Sequence, residues 1–288
     1  MSKDIISKIE AQFSNMTAIH QRIATSIMLD PMQVAFSPVK ALSDKFGVSP
    51  ASIVRFAQQV TDGGGYPQLQ HEIQEHIRSS TNPIKRLEDN VATVAQDETL
   101  LTHVFETQIN NLQKTFNQNL VTSIGRASEL LSDAKHIYTY GSRGCYATAY
   151  YLGHHLNRVF NNADIIADDD RVAEFLIRAT DQDAVIFICL PRYSSRMITV
   201  AKKLHAAGTK VISITGTPTS PFVAHSDVSL FAFSHSSDFH NSQVSSMLVA
   251  EMLVSQAIST NMGRALDNLK NIETLFLDLR QFYDADDR

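Results

Sequence analysis

Two short stretches of this chain concentrate side chains suited to holding an anion. "CLPRYSSR", 189–196, packs Arg192, Ser194, Ser195 and Arg196 between an apolar run, "AVIFI", and a helical pattern, "MITVAKKLHAAG". "YGSRGCYATA", 140–149, sets Gly141, Ser142 and Arg143 ahead of another helical pattern. Guanidinium groups pair with phosphate or carboxylate oxygens, bidentately when the fork is oriented. Serines at a helix start cap its free N–H groups or share them with a bound oxyanion. Gly141, Ser142, Arg143, Arg192, Ser194, Ser195 and Arg196 are therefore the candidate ligand-binding residues. Each turn also has a plainer reading, a capped strand-to-helix connection with solvated arginines.

Other polar groups are weaker candidates. "TGTPTSPFVAHSD", 215–227, offers Thr217 and Ser220, which either extend a pocket or only shape it. His154 and His155 sit in one helical pattern, where adjacent residues point in different directions, so at most one serves a given site. Glu251 lies amid apolar residues of a late helix and reads as a solvent-facing residue rather than a base. The 140–149 turn is neither a Walker A loop nor G-x-G-x-x-G, so nothing indicates a nucleotide. No Ser/His/Asp constellation and no metal-ligand spacing is readable, and no catalytic residue, metal or cofactor is expected.

The elements that must position these turns follow from periodicity. From 136 onward, "HIYTYG", "ADIIAD", "AVIFICLP", "KVISITG" and "VSLFAF" are short β-branched or aromatic runs separated by helical patterns. Alternating strands and helices specify an α/β unit with a five-stranded parallel sheet flanked by helices. Both arginine-bearing turns fall at the carboxyl ends of strands, where open parallel sheets bind ligands. "NSQVSSMLVAEMLVSQAIST" reads as a covering helix after the last strand. Ahead of the sheet, apolar residues from Leu100 to Leu130 predict one long helix over about 97–131.

The front of the chain, 1–80, is helical throughout. Ile5, Ile9 and Phe13, then Ile19, Ile23 and Ile27, recur at helical spacing. "SPVKALSDKFGV" begins with Ser37 as an N-cap and ends at Gly47. "SPASIVRFAQQV" repeats the device with Ser49, and Ile53, Val54 and Ala57 form its stripe. Two short helices joined through "KFGVSP" fit a helix-turn-helix, and a generic helical hairpin is the alternative. In the first reading, Lys45, Ser49, Ala51, Ser52 and Arg55 face the major groove of DNA. The polar stretch 81–96 reads as a linker, and 97–288 as the α/β domain.

Composition narrows the class. The 288 residues carry 43% hydrophobic and 19% charged side chains, enough for a sizeable core, with a net charge of −5 that argues against a non-specific nucleic-acid coat. Residues 1–80 hold seven lysines and arginines against seven acids. A neutral DNA-reading unit is expected to bind modestly alone and to need two half-sites. Cys145 and Cys189 are too few for a disulfide framework, which points to a reducing cytoplasm. The N-terminus lacks an apolar signal core, and no apolar run approaches the roughly 18 residues of a membrane span.

Both halves together resemble the RpiR family of bacterial transcription regulators, an N-terminal helix-turn-helix domain joined to a sugar isomerase (SIS) domain. The resemblance is carried by "RIATSIMLDPMQVAFSPVKALSDKFGVSPASIVRFAQQV", 22–60, by "IYTYGSRGC", and by "GTKVISITGTPTSPFVAHSDVSLF". It implies a homodimer or homotetramer, double-stranded operator DNA as one partner, and a phosphosugar-like anion whose binding changes DNA affinity. It places Ser49, Ser52 and Arg55 on the DNA-reading helix, Gly141 and Ser142 in the first ligand loop, and Ser194 and Ser195 in the second.

The chain departs from the family pattern at three places. Gln58 and Gln59 stand where a basic residue is common. The second loop lacks the family's Gly and Thr and adds arginines. Arg143 and Cys145 replace small or hydroxylic residues in the first loop. Extra arginines in both loops favour a strongly anionic ligand or a salt bridge between subunits. The expected function is a cytoplasmic, non-enzymatic transcriptional regulator sensing a small anion. The alternative is a sugar-phosphate isomerase with an accessory helical domain, drawing on Glu251 and His154 or His155.

Overall fold

A computed structural model of the chain describes residues 5–29, 31–80, 82–94, 100–236 and 238–281. The chain divides into two compact units, Met1–Asp97 and Glu98–Arg288. No helix among the described residues is long and apolar enough to cross a membrane.

The first unit is all helical: α1 (Ile5–Gln12), α2 (Ala18–Leu29), α3 (Pro31–Phe36), α4 (Val39–Phe46), α5 (Pro50–Val60), α6 (Gly65–Ser80) and α7 (Pro83–Val94). Ile5, Ile9, Ile23, Ile27, Leu42 and Phe56 are buried in one cluster that α1 to α6 share. Two residues of the apolar periodicity lie outside it: Ile19 is 51% exposed and Val54 36% exposed. Phe56 and Val60 complete the buried stripe of α5 instead. The stretch 81–96, read as a polar linker, contains the helix α7.

The turn between α4 and α5 has the geometry its residues specify. Gly47 ends α4 in the left-handed region (φ 61°), and the Val48 N–H returns to the Ser43 carbonyl at 3.1 Å. Ser49 caps α5, its Oγ accepting from the Ser52 N–H at 3.1 Å. Ser37, by contrast, is not the cap of α4. Pro38 occupies that position with an extended backbone, and no side chain caps the helix. Ser37 acts through its carbonyl, which accepts from the Tyr66 hydroxyl at 2.6 Å and the Gln70 amide at 2.9 Å. These bonds fix the helix entry from α6, a partner that local sequence does not reveal.

The second unit runs α8 (Leu100–Thr115), α9 (Gln118–Asp133), β1 (Ile137–Gly141), α10 (Cys145–Phe160), β2 (Ala163–Ile166), α11 (Arg171–Arg178), β3 (Ala184–Cys189), α12 (Ser195–Ala206), β4 (Lys210–Thr215), β5 (Val228–Phe231), α13 (Val244–Thr260) and α14 (Met262–Asp278). The long helix expected over 97–131 is two helices. Asn117 interrupts it with an extended backbone (φ −154°), its side chain accepting from the Leu120 N–H at 3.0 Å. The apolar periodicity continues through the break, and a capping asparagine is the only local sign of it. Positions 97–99 of that expectation lie outside the described residues.

All five strands are parallel, in the order β2-β1-β3-β4-β5. Strands buried on both faces read as continuous apolar runs, as "AVIFIC" does. Alternate residues serve opposite cores. Ile186 and Ile188 pack with Leu131, Leu156 and Leu253, which belong to α9, α10 and α13. Val185 and Phe187 pack with Phe175 of α11 and Met197 and Leu204 of α12. The chain leaves β1 towards one layer through α10 and leaves β3 towards the other through α12. A crevice at the carboxyl ends of β1 and β3 is the geometric result.

Candidate functional site

That crevice is a cleft of about 500 Å³ lined by Ser142, Arg143, Asp168, Arg192, Tyr193, Ser194 and Ser195. Five of the seven expected ligand-binding residues thus meet in one place. The other two shape it. Gly141 is buried below the loop, where a Cβ would fall 2.5 Å from the Cys145 carbonyl oxygen. Only glycine lets β1 run this close to the first turn of α10. Arg196 does not line the cleft. Its guanidinium donates to the Asp169 carbonyl and lies 3.8 Å from Asp168 Oδ1.

The two loops are braced against each other. Arg143 Nη2 donates to the main-chain carbonyl of Arg192 at 2.6 Å. Arg143 (φ 53°) and Arg192 (φ 67°) both hold a left-handed backbone, a conformation that costs a non-glycine residue on the order of 1 kcal/mol. Such outliers gather at binding sites, where the surrounding structure enforces them. Ser194 caps α12, its Oγ accepting from the Met197 N–H at 3.4 Å, and Ser195 opens the helix. The positive end of α12 therefore faces the cleft alongside the Arg143 and Arg192 side chains. In chemical terms, the lining supplies fixed cations, hydroxyls and helix N–H groups, which suit a phosphate or carboxylate.

Asp168 is, with Tyr193, one of two lining residues that the sequence reading missed. It follows β2 on the same sheet edge, and the only local signal is the run "DDD" at 168–170. Its Oδ1 accepts from the Tyr140 hydroxyl at 2.6 Å. Burial first, and Asp168 second, push the Tyr140 phenol above its ordinary range. Beside it, the hydrogen bond from Arg171 holds the Asp169 carboxyl below the usual carboxylate range.

A further layer comes from the segment before α13. The Asn241 amide donates to the Pro191 carbonyl at 2.7 Å, and the Gln243 amide to Cys145 Sγ at 3.7 Å. Ser242 Oγ donates to the Gln108 side-chain carbonyl on α8 at 2.5 Å. The segment thus touches the loop after β3, the start of α10, and α8. These contacts join residues 50 to 134 positions apart and have no sequence signal.

The remaining candidates lie elsewhere. Ser220 is buried and accepts from Thr215 Oγ1 at 2.7 Å, and Thr217 bonds Thr219 at 3.0 Å; neither lines the cleft. His154 is exposed and stacks on Tyr150, with ring centroids 6.1 Å apart. His155 is held below its usual pKa, by burial first and then by His154 and Arg158. Glu251 lines a separate hollow with Val121, Leu248 and Met252. Glu251, His154 and His155, the groups the isomerase alternative draws on, are not among the residues that line the cleft. Both cysteines are free thiols, raised by burial, Cys189 to about 12.

On the first unit, Lys45, Ser49, Ala51 and Arg55 are exposed around the start of α5, and Ser52 is half-buried. The Ser49 and Ser52 hydroxyls lie 2.9 Å apart and bond one another. Ala51, Arg55 and Gln58 share the exposed helical face. Gln59 is less free, its Oε1 lying 2.8 Å from the His20 ring.

A helix-turn-helix unit followed by a doubly wound sheet with an anion-suited switch point defines a DNA-binding transcriptional regulator with a SIS domain. Comparison with known proteins agrees. The helix-turn-helix domain of the rpiR family matches residues 3–80, and the SIS domain matches residues 130–259. The first unit thus carries a helix-turn-helix domain of the rpiR family and the second a SIS domain. It is 25% identical over 271 residues to an uncharacterized HTH-type transcriptional regulator of Thermotoga maritima, covering 92% of this chain and 95% of that one. It is 23% identical over 220 residues to the regulator HexR of Escherichia coli, covering 75% of this chain and 74% of HexR.

Among solved structures, the sugar isomerase domain of an RpiR transcription factor from Sphaerobacter thermophilus aligns with a TM-score of 0.58 at 24% identity, covering 62% of this chain and 99% of that domain. The Vibrio vulnificus NanR protein, complexed with ManNAc-6P, aligns with a TM-score of 0.59 at 17% identity, covering 96% of this chain and 98% of NanR.

Proposed function

We propose that this regulator senses a small, phosphosugar-like anion in the cleft between the loops after β1 and β3. The observation that carries the reading is the meeting of Ser142, Arg143, Arg192, Ser194 and Ser195 in one cleft. NanR, a relative in fold, was solved with ManNAc-6P, which agrees with a phosphorylated ligand. The DNA-binding domain is taken as 1–80, the connecting segment as 81–96 and the sensing domain as 97–288. Lys45, Ser49, Ala51, Ser52 and Arg55 face the operator, with Ser49 acting mainly as a cap and Gln58 extending the reading face. A neutral reading unit favours a homodimer or homotetramer in the cytoplasm, engaging two half-sites.

An effector changes DNA affinity only by binding one arrangement of the protein better than another. Anion binding acts on the strained, braced loops at Arg143 and Arg192. Asn241 and Ser242 connect the Arg192 loop to α8, the first helix of the sensing unit. A thermal-shift screen of phosphosugars, inorganic phosphate and other small anions tests the reading, because a ligand stabilises the form it binds. A hit that disappears in Arg192→Ala supports the cleft, and a hit that persists there removes it.

A further inference from the structure

We propose that Asp168 is a specificity-determining residue, which selects an anion ester bearing free hydroxyl groups over a bare anion. The inference rests on the cleft being an anion site. Asp168 is the one carboxylate among the described lining residues. It is held from two sides. Its Oδ1 accepts from the buried Tyr140 hydroxyl at 2.6 Å and lies 3.8 Å from Arg196 Nη1. Among the described residues no donor reaches Oδ2, and the side chain is 32% exposed. A fixed carboxylate oxygen therefore remains available in a cleft otherwise lined by cations and hydroxyls.

A carboxylate in an anion site has two effects. It repels a second negative charge, which disfavours bisphosphates and other polyanions. It also accepts hydrogen bonds from neutral hydroxyls, and bonds to a charged acceptor are stronger than neutral ones. The arrangement suits a ligand with one anionic group towards Arg143, Arg192 and the α12 start, and hydroxyls towards Asp168. A purely structural role, fixing Tyr140 and Arg196, would not discriminate between ligands of equal charge.

The test is isothermal titration of the full chain with ethyl phosphate, glycerol 3-phosphate and glucose 6-phosphate, beside inorganic phosphate. Wild type is expected to bind the tighter hydroxylated ester about tenfold or more better than ethyl phosphate. Asp168→Ala is expected to lose that preference while binding ethyl phosphate as well as before or better. Should the alanine variant fail to fold, Asp168→Asn keeps an acceptor for Tyr140 and is expected to narrow the preference. Equal binding by wild type, or a preference that survives both substitutions, overturns the assignment. Binding of inorganic phosphate without any ester preference defeats this inference alone. No binding of any of the four defeats the anion-site reading, and this one with it.

Discussion

The Arg143 guanidinium donates to the Arg192 carbonyl across the cleft, 2.6 Å away, and both residues hold left-handed backbones. One hydrogen bond therefore ties together the two loops that carry the candidate ligands. It also fixes the Arg143 guanidinium at the cleft while leaving the Arg192 side chain on the cleft wall.

Arg192→Gly is expected to separate stability from binding. Glycine adopts φ 67° without the cost of a Cβ, and the carbonyl that accepts from Arg143 remains. The gain is on the order of 1 kcal/mol in unfolding free energy. Affinity for a phosphate ester should fall at the same time. Urea unfolding and titration on the same preparation check both directions, and a destabilised variant would show that the Arg192 side chain stabilises the loop.

Gly141→Ala is expected to destabilise the sensing unit by about 1–3 kcal/mol, the usual cost of overpacking. The new methyl would meet the Cys145 carbonyl, a backbone atom that cannot swing aside. Denaturant unfolding reads the loss, and unchanged stability would mean that the β1 loop relaxes freely.

Arg55→Ala is expected to abolish operator binding with unfolding unchanged, since Arg55 is exposed on α5. Ser49→Ala should instead cost about 1 kcal/mol of stability through the lost cap. Gel-shift titration at fixed salt, with thermal unfolding in parallel, separates the two. Equal operator affinity in wild type and Arg55→Ala would remove α5 as the recognition helix.

Ser242→Ala and Asn241→Ala are expected to leave effector binding within a few-fold but to reduce the effector's influence on DNA affinity. Each removes a hydrogen bond between the Arg192 loop, the segment before α13 and α8. The ratio of operator affinities with and without effector measures the coupling free energy. An unchanged ratio in both variants would show that the signal does not use this route.

Much of the fold was legible because local patterns agree with the tertiary structure. "AVIFIC" is apolar throughout because β3 is buried on both faces. The Gly47 and Ser49 turn declared itself through a left-handed glycine and a capping serine. Legibility failed where a local pattern had two solutions. The apolar stripe crossed Asn117 unbroken, and Ser37 looked like a cap while Pro38 held the position. Among site residues, Ser142, Arg143, Arg192, Ser194 and Ser195 were marked by their place at strand ends. Asp168 was hidden in an acidic run whose only distinction is where β2 ends.

The sequence by itself determined the order of the elements and the chemistry at each strand end, because burial, capping and turn formation are local demands on residue type. The tertiary structure alone decided which of those ends meet. Strand order β2-β1-β3 brings residues 142, 168 and 192–195 to one crevice. It also decided that Arg196 serves Asp168 and the Asp169 carbonyl, and that Asn241 and Ser242 connect the loop to α8. Hydrogen bonds and ion pairs act over about 3–4 Å in space, and separation along the chain carries no record of them.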